Sequence, residues 1–162
     1  MLKNQVCLLL GSNIEAHLNI EKALHLLSQK LNIVRCSDAW QSKAVGSPGP
    51  DFINLAVLTE TSLSAEMLKK QILLPIEKEL KRVRTDDKNA PRTIDIDIII
   101  YDTMLQDNTL FTYAHLAVPV AQILPSFVNE RGESLQHRAF ALQHSSAISR
   151  QAELSDRLKE VV

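Results

Sequence analysis

The sequence has few cysteines and glycines, few aromatic residues and no long apolar run. Its two cysteines, Cys7 and Cys36, lie in apolar segments without Cys-x-x-Cys spacing, so we expect free, buried thiols of a reducing compartment. The apolar run near the N-terminus, residues 6–10, is too short for the apolar core of a signal peptide or for a membrane span. We therefore expect a cytoplasmic protein.

An excess of charge of either sign is also missing. The chain has 18 basic and 19 acidic side chains and a formal net charge of −1. This balance argues against a general nucleic-acid or membrane surface, so any positive potential must be local. At 162 residues the chain has the length of one domain, and we expect residues 1–162 to form a single unit.

What the sequence does have is an isoleucine-rich strand that carries two aspartates. Alternate side chains of a strand share a face. One face of this strand would therefore carry Ile94, Ile96, Ile98 and Ile100, and the other Thr93, Asp95, Asp97, Ile99 and Tyr101. Asp95 and Asp97 would then stand side by side, roughly 6.5–7 Å apart at Cα, within reach of one or two divalent cations.

Two interpretations of this aspartate pair are open. It could be a solvated strand face, although Asp is a poor strand former. Metal binding is favoured because Arg82, Arg84 and Arg92 lie within about fifteen residues of the pair. A carboxylate-bound Mg²⁺ surrounded by guanidinium groups suits a polyphosphate, so this stretch predicts nucleotide binding.

The remaining pattern predicts an α+β fold. Apolar runs and three-four periodicity indicate strands at residues 6–10, 33–42, 52–61 and 93–101, and helices at 15–31 and from a Ser64 cap to near Arg84. The Gly11-Ser12-Asn13 sequence predicts a turn, residues 45–50 a loop, and Pro75 a kink in the second helix. This β-α-β-β-α-β order is ferredoxin-like, an antiparallel sheet backed by two helices.

The C-terminal extension gives a weaker signal. We expect a turn at Asp107-Asn108, a short apolar stretch at 116–124, a polar turn at 129–133 and an amphipathic helix at about 147–162.

Several motifs resemble one known family, that of 6-hydroxymethyl-7,8-dihydropterin pyrophosphokinase in folate biosynthesis. They run in register over roughly residues 5–102 and are Gly11-Ser12-Asn13, Asp51-Phe52-Ile53-Asn54, Ile76-Glu77, Arg82-Val83-Arg84 and Pro91-Arg92-Thr93-Ile94-Asp95-Ile96-Asp97. The resemblance implies a ferredoxin-like α+β fold. It also implies transfer of a diphosphate from ATP to the pterin hydroxymethyl group, release of AMP, and two Mg²⁺ ions.

The resemblance also implies roles for individual residues. Asp95 and Asp97 would hold both metal ions. Asp97 is also a candidate to accept the proton of the pterin hydroxyl group, a task that the metal could take instead. Arg82 and Arg92 would join the two aspartates in catalysis. The residues implied in ATP binding are Glu77, Arg82, Arg84, Arg92, Ile98 and His115, and those in pterin binding are Ser42, Val45, Phe52, Asn54 and Asp95. ATP and the pterin would be the partners of a monomer, with no nucleic acid or membrane.

The sequence departs from the family at several positions. Asn89 replaces a typical tryptophan, Lys43 replaces a proline, and roughly eight residues are missing near His115. Aligned through Pro119 and Pro125, His115 takes the place of a pterin-stacking Phe; aligned through itself, His115 keeps an ATP-contacting position. A degenerate paralogue that binds without turnover, or a related diphosphotransferase with another substrate, therefore stays open beside an active pyrophosphokinase.

Overall fold

Within residues 2–46 and 48–162, which a computed structural model describes, seven strands form one sheet. They are β1 (Asn4–Ser12), β2 (Asn32–Cys36), β3 (Trp40–Ser42), β4 (Phe52–Thr61), β5 (Asp95–Tyr101), β6 (Met104–Leu105) and β7 (Ile148–Arg150). The order across the sheet is β6-β5-β1-β4-β3-β7, and β2 also pairs with β4. Every pairing is antiparallel. The predicted ferredoxin-like arrangement is confirmed, with β1 at its centre.

Helices cover both faces of this sheet. They are α1 (Ala16–Lys30), α2 (Ala65–Leu68), α3 (Leu74–Glu79), α4 (Ala114–Ile123), α5 (Leu135–Ser145) and α6 (Ala152–Lys159). One apolar core joins β1, β4 and β5 to α1, α2, α3 and α6, and a second core joins the opposite sheet face to α4 and α5. The strand alternation of β1 serves both, since Leu8 enters the first core and Leu9 the second.

The first strand is longer than predicted. Gly11 and Ser12 belong to β1, so the turn begins only at Asn13. The predicted loop at 45–50 has neither helix nor strand at its described positions, and Ser47 lies outside the described residues. The second predicted strand is divided into β2 and β3, which both pair with β4. Between them, the Ser37 N–H donates to the Ala56 carbonyl and the Ser37 hydroxyl accepts the Ala56 N–H, which interrupts the regular ladder with β4.

A β-bulge changes the predicted faces of β5. Cys7 pairs with Ile100 but Leu8 pairs with Ile98, which leaves Ile99 as an extra residue. An extra residue reverses the alternation beyond it. The expectation that Ile100 shares a face with Ile98 is therefore wrong, since Ile100 packs in the core of α4 and α5.

The helical segment after β4 contains a π-helical turn at Lys69–Leu73, between α2 and α3. Ser64 caps it as predicted, its hydroxyl accepting the Met67 N–H. The π turn absorbs Pro75, whose ring nitrogen has no hydrogen to donate. It also shifts the buried face of the segment, since the buried Leu73 follows the buried Leu68 by five residues, one more than the α-helical spacing.

The segment ends earlier than predicted, at Glu79 rather than near Arg84. Lys81 adopts a left-handed conformation (φ 63°), and the Arg82 and Lys81 N–H groups donate to the Glu77 and Lys78 carbonyls. This pair of bonds is a Schellman termination. Arg82 and Arg84 are thereby released from the helix and run toward β5.

The C-terminal extension holds more structure than predicted. The apolar stretch is helix α4, which is apolar on almost every side because α5 and the sheet enclose it, and α5 was not predicted. The expected helix at 147–162 begins only at Ala152, because Ile148–Arg150 add as β7 to the free edge of β3. No helix among the described residues is long and apolar enough to span a bilayer.

The extension also fixes β3 in place. Ser155 on α6 is fully buried, and its hydroxyl accepts the Ala39 N–H at 2.9 Å. Asp38 binds Arg150 at 3.0 Å and Lys159 at 3.4 Å. These bonds join the last two elements to the residues immediately before β3.

We expect Ser155→Ala to lower the free energy of unfolding by about 1–3 kcal/mol, because it leaves the buried Ala39 N–H without an acceptor. Urea denaturation would measure the loss, with the exposed Ser149→Ala on β7 as the matched control. Equal stabilities of the two variants would contradict this account of the extension.

Candidate active site

Asp95 and Asp97 lie at the beginning of β5, beside β1. Asp95 pairs with Gly11 and Asp97 with Leu9. Both carboxylates enter one cavity, so the structure brings together the two side chains that the alternation predicted to share a face. Gly11 leaves room there, because a Cβ at that position would meet the Asn54 side chain at 3.5 Å and the Phe52 ring at 3.8 Å.

Two arginines neutralise Asp95. Arg82 Nη1 lies 3.0 Å from Asp95 Oδ1, and Arg92 Nη1 lies 3.2 Å from Asp95 Oδ2. The Arg82 side chain is only 9% exposed, and it also donates to the Ile94 carbonyl at 2.8 Å. Within the described part of the chain, its Nε is a buried donor without a partner. Arg82 is thus built into the floor of the site.

Among the described residues, no arginine or lysine forms an ion pair with Asp97. Desolvation by its surroundings, followed by the charges of Asp95, Glu77 and Asp107, raises the pKa of Asp97 to about 7. Its carboxyl group therefore binds a proton more readily than an ordinary aspartate does when no cation is bound.

The donor set fits Mg²⁺ shared with a ligand better than Mg²⁺ held by protein alone. Among the described residues no cluster of three or more His, Cys, Asp or Glu side chains could hold a metal. Mg²⁺ is commonly bound by one or two carboxylates together with substrate phosphates, and Asp95 and Asp97 supply such a pair.

The first cavity at the site, which we call the apolar cavity, has a volume of about 230 Å³. Its walls include Leu9, Val45, Phe52, Tyr113 and Leu116, with Ser42 and Asn54 among its polar groups. A flat ring with polar edges suits such walls.

Asn54 is held rigidly at the back of this cavity. It is 2% exposed, and its Nδ2 donates to Ser42 Oγ at 2.8 Å and to the Trp40 carbonyl at 3.4 Å. These two bonds fix the orientation of the amide group. Its Oδ1 therefore faces Gly11 and can accept a hydrogen bond from a ligand.

The second cavity, which we call the basic cleft, lies along the segment that leaves α3. Its lining includes Arg82, Arg84, Lys88 and Arg92. Such a concentration of cations supplies the local positive potential that a nearly neutral chain requires for a polyphosphate.

The apolar cavity and the basic cleft share one wall. Lys88, Arg92, Asp95 and Asp97 line both. A molecule in each cavity would therefore meet the other at the aspartate pair.

Three sequence-derived candidates lie elsewhere or in new surroundings. Glu77, implied in ATP binding by the resemblance, is 3% exposed; its Oε1 lies 2.7 Å from Arg84 Nη2 and its Oε2 accepts the Ile96 N–H at 2.9 Å. The π turn and the Schellman termination turn Glu77 inward. Ile98 packs against the core that contains α1, α2, α3 and α6, on the strand face opposite the aspartates.

His115 lies in the apolar cavity at the start of α4. Its ring stacks on Tyr113, with centroids 5.4 Å apart and an interplanar angle of 27°. Burial lowers the pKa of His115, against an opposing effect of Asp107. The neutral imidazole is therefore favoured at neutral pH.

Asn13 connects the loops on either side of the site. Its Oδ1 accepts the Arg92 N–H at 2.7 Å, and its Nδ2 donates to the Pro50 carbonyl at 3.3 Å. The loops also meet directly, since a Cβ on Gly46 (φ +89°) would lie 2.7 Å from Asn89 Nδ2. The side chain that replaces the typical tryptophan therefore packs against the opposite loop.

Sequence reasoning missed several cavity residues. Lys88, Asp107, Thr109 and Tyr113 line the apolar cavity, but no motif singles them out. One feature of the sequence could have pointed to Tyr113: it is an aromatic residue two positions before the candidate His115.

The chain matches the family model described as 7,8-dihydro-6-hydroxymethylpterin-pyrophosphokinase (HPPK) over residues 7–125. A 2-amino-4-hydroxy-6-hydroxymethyldihydropteridine pyrophosphokinase of Synechocystis sp. is 36% identical over 133 residues, 75% of this chain and 67% of that relative. A protein of the same name from Aquifex aeolicus is 32% identical over 132 residues, 74% of this chain and 80% of the relative.

Among solved structures, a triple mutant of Plasmodium falciparum HPPK-DHPS crystallised with pteroate has a TM-score of 0.68. The match covers 86% of this chain at 12% identity, which supports the fold alone. The chain spans less than half of that longer protein, 43% of its length.

The raised pKa of Asp97 predicts a pH-dependent stability without metal. An ionised Asp97 is disfavoured in the folded state, so the wild type loses stability as the pH rises from about 4, where the unfolded carboxyl ionises, to about 7, where the folded one does. We expect the stability of Asp97→Asn relative to the wild type to increase from about pH 4 to about pH 7 in EDTA and to stay constant above that, as measured by urea denaturation. The exposed Asp86→Asn is the control, and a pH-independent difference for Asp97→Asn would contradict the assignment.

We expect Asn13→Ala to loosen both loops, because the Arg92 N–H and the Pro50 carbonyl each lose their partner. The free energy of unfolding should fall by about 1–3 kcal/mol, and protease cleavage within residues 43–51 and 85–91 should accelerate together. Cleavage of only one loop, or a variant indistinguishable from the exposed Asn108→Ala, would exclude this bridging role.

Proposed function

Since the chain belongs to the 7,8-dihydro-6-hydroxymethylpterin-pyrophosphokinase family, we propose that it transfers a diphosphate from ATP to the hydroxymethyl group of 6-hydroxymethyl-7,8-dihydropterin and releases AMP. One observation carries the proposal: the apolar cavity and the basic cleft have Lys88, Arg92, Asp95 and Asp97 in common. A group transfer needs its two substrates in contact at one point, and this common wall provides that point.

The basic cleft is the ATP side in this proposal. Arg84 is 59% exposed, with its Nη2 bound to Glu77 and its other guanidinium N–H groups available to a phosphate, and Arg92 is directed by Asp95. Arg82 acts from the floor, where it offsets negative charge without needing to move. Guanidinium groups are suited to this task because they donate two parallel hydrogen bonds to phosphate oxygens.

The apolar cavity is the pterin side. The Phe52 ring offers a flat face, and the Arg92 guanidinium lies 5.9 Å from its centroid. Asn54 Oδ1 accepts a hydrogen bond from the polar edge of the ring, while Ser42 and Val45 also line the cavity. Few polar anchors between apolar walls fix the orientation of a heterocycle.

We assign His115 to the pterin side, where its location in the apolar cavity and its stacking on Tyr113 support it. A neutral imidazole can stack against a flat heterocycle, but it carries no positive charge for a phosphate. This assignment favours the alignment through Pro119 and Pro125.

Two Mg²⁺ ions would be held by Asp95 and Asp97 when the nucleotide is bound. Bound there, they would neutralise phosphate charge and orient the β-phosphorus toward the hydroxyl group. Asp97 is also a candidate to accept the hydroxyl proton; because a bound cation would lower the pKa of its carboxyl, the metal is the alternative means of activating that hydroxyl group.

The assembly and location of the enzyme are proposals of the same kind. We propose a one-domain monomer that acts in the cytoplasm. The support is that both cysteines are free, with Cys7 fully enclosed in an apolar core.

AMP release from Mg²⁺-ATP, with and without the hydroxymethyl dihydropterin, tests the function. We expect pterin-dependent AMP release in the wild type and none in Asp97→Ala, whose circular dichroism should match the wild type. Asp86→Ala is the matched control and should retain full activity.

Two results would contradict the proposal. Binding of ATP or the pterin without AMP would identify a degenerate binding protein, and AMP release that requires another acceptor would identify a related diphosphotransferase. Retained turnover in Asp97→Ala would remove the metal-binding role of that residue.

A further inference from the structure

Among the described residues, no strand pairs with the outer edge of β5 where it carries the aspartates. β6 pairs with β5 at Ile100 and Tyr101, while β1 covers the other edge along residues 95–101. The backbone groups of Ile94 and Ile96 point to the same side of the strand, since they are two residues apart. An unpaired edge of this kind is free to shift or fray.

Two side chains take the place of the missing strand. Arg82 Nη1 donates to the Ile94 carbonyl at 2.8 Å, and Glu77 Oε2 accepts the Ile96 N–H at 2.9 Å. One group donates and the other accepts, as the backbone of a neighbouring strand would. Both come from the end of α3, which the Schellman termination directs against this edge.

Glu77 also extends the connection beyond the strand. Its second oxygen, Oε1, lies 2.7 Å from Arg84 Nη2. A single buried carboxylate thus joins the amide between the two aspartates to an arginine of the basic cleft. With both oxygens occupied and 3% exposure, it has no free face for a nucleotide.

We propose that Glu77 is a positioning residue: by holding the Ile96 amide it sets the spacing and direction of the Asp95 and Asp97 carboxylates, and it does not contact ATP. This inference rests on the proposed function only in so far as it assigns those carboxylates to metal and phosphate. The contacts of Glu77 themselves do not depend on it.

The chemistry of the position explains why glutamate is required there. The two groups that face it, the Ile96 N–H and the Arg84 guanidinium, are both donors. A carboxylate accepts from both, whereas glutamine would direct its own NH₂ at one of them. Glu77→Gln therefore keeps the volume and loses one of the two bonds.

The experiment compares Glu77→Gln with Glu79→Gln, an exposed position on the same helix. In the proposed role, Glu77→Gln lowers kcat for AMP release about 10- to 100-fold, as is usual when the support of a metal ligand is removed. The KM for the pterin stays unchanged. Mn²⁺ binding with a non-hydrolysable ATP analogue, followed by EPR, weakens by a similar factor, and Glu79→Gln changes nothing.

A direct readout of the clamp does not need turnover. Amide hydrogen exchange at Ile96 should accelerate in Glu77→Leu, which removes both acceptor oxygens, while exchange at Leu10 on the protected β1 stays slow. Arg84→Met should leave the Ile96 exchange rate closer to wild type, since it removes the other arm of the carboxylate.

Three outcomes would overturn the inference. An unchanged Ile96 exchange rate would show that the clamp is absent. A lower Tm with normal kcat and normal Mn²⁺ affinity would show a structural role only, and a raised KM for ATP with normal kcat would show that Glu77 touches the nucleotide. If instead the wild type released no AMP, the proposed function would fall, but the exchange and Mn²⁺ measurements would still decide the role of Glu77.

Discussion

Two carboxylates on adjacent outward positions of one strand repel each other, and the rest of the site depends on how that repulsion is contained. Arg82 and Arg92 bind the two oxygens of Asp95, whereas no described arginine or lysine forms an ion pair with Asp97. Burial, and after it the charges of the neighbouring carboxylates, raise the pKa of Asp97, and a cation shared with a ligand would offset both effects. The negative charge of Asp97 would therefore be offset only when a polyphosphate and its metal bind.

The fold explains how the sheet tolerates this arrangement. The aspartates stand at one end of β5, where the glycine of β1 leaves space, and the isoleucines that follow fill the cores on either side of the sheet. Burial of those isoleucines stabilises the strand by far more than one charged pair destabilises it. The charge repulsion is therefore confined to the first residues of the strand.

The sequence predicted the features that depend on local pattern. The strand with Asp95 and Asp97, the Ser64 cap and the β-α-β-β-α-β order, apart from the division of the second strand, all follow from periodicity or capping, and they are confirmed. The bulge at Ile99, the inward turn of Glu77 and the pairing of Ile148–Arg150 with β3 depend on partners far along the chain, which periodicity does not report. Cavity residues such as Tyr113 come together only when the second helical layer packs.

Asn13 gives the molecule a mechanical property. One amide side chain anchors the loop that ends at Pro50 and the loop that ends at Arg92, so a displacement large enough to free one of them loosens the hold on the other. Movements of the two loops, and with them ligand entry into the two cavities, are then correlated. A ligand that displaces one loop would therefore loosen the other, so the two cavities are coupled through a single amide side chain.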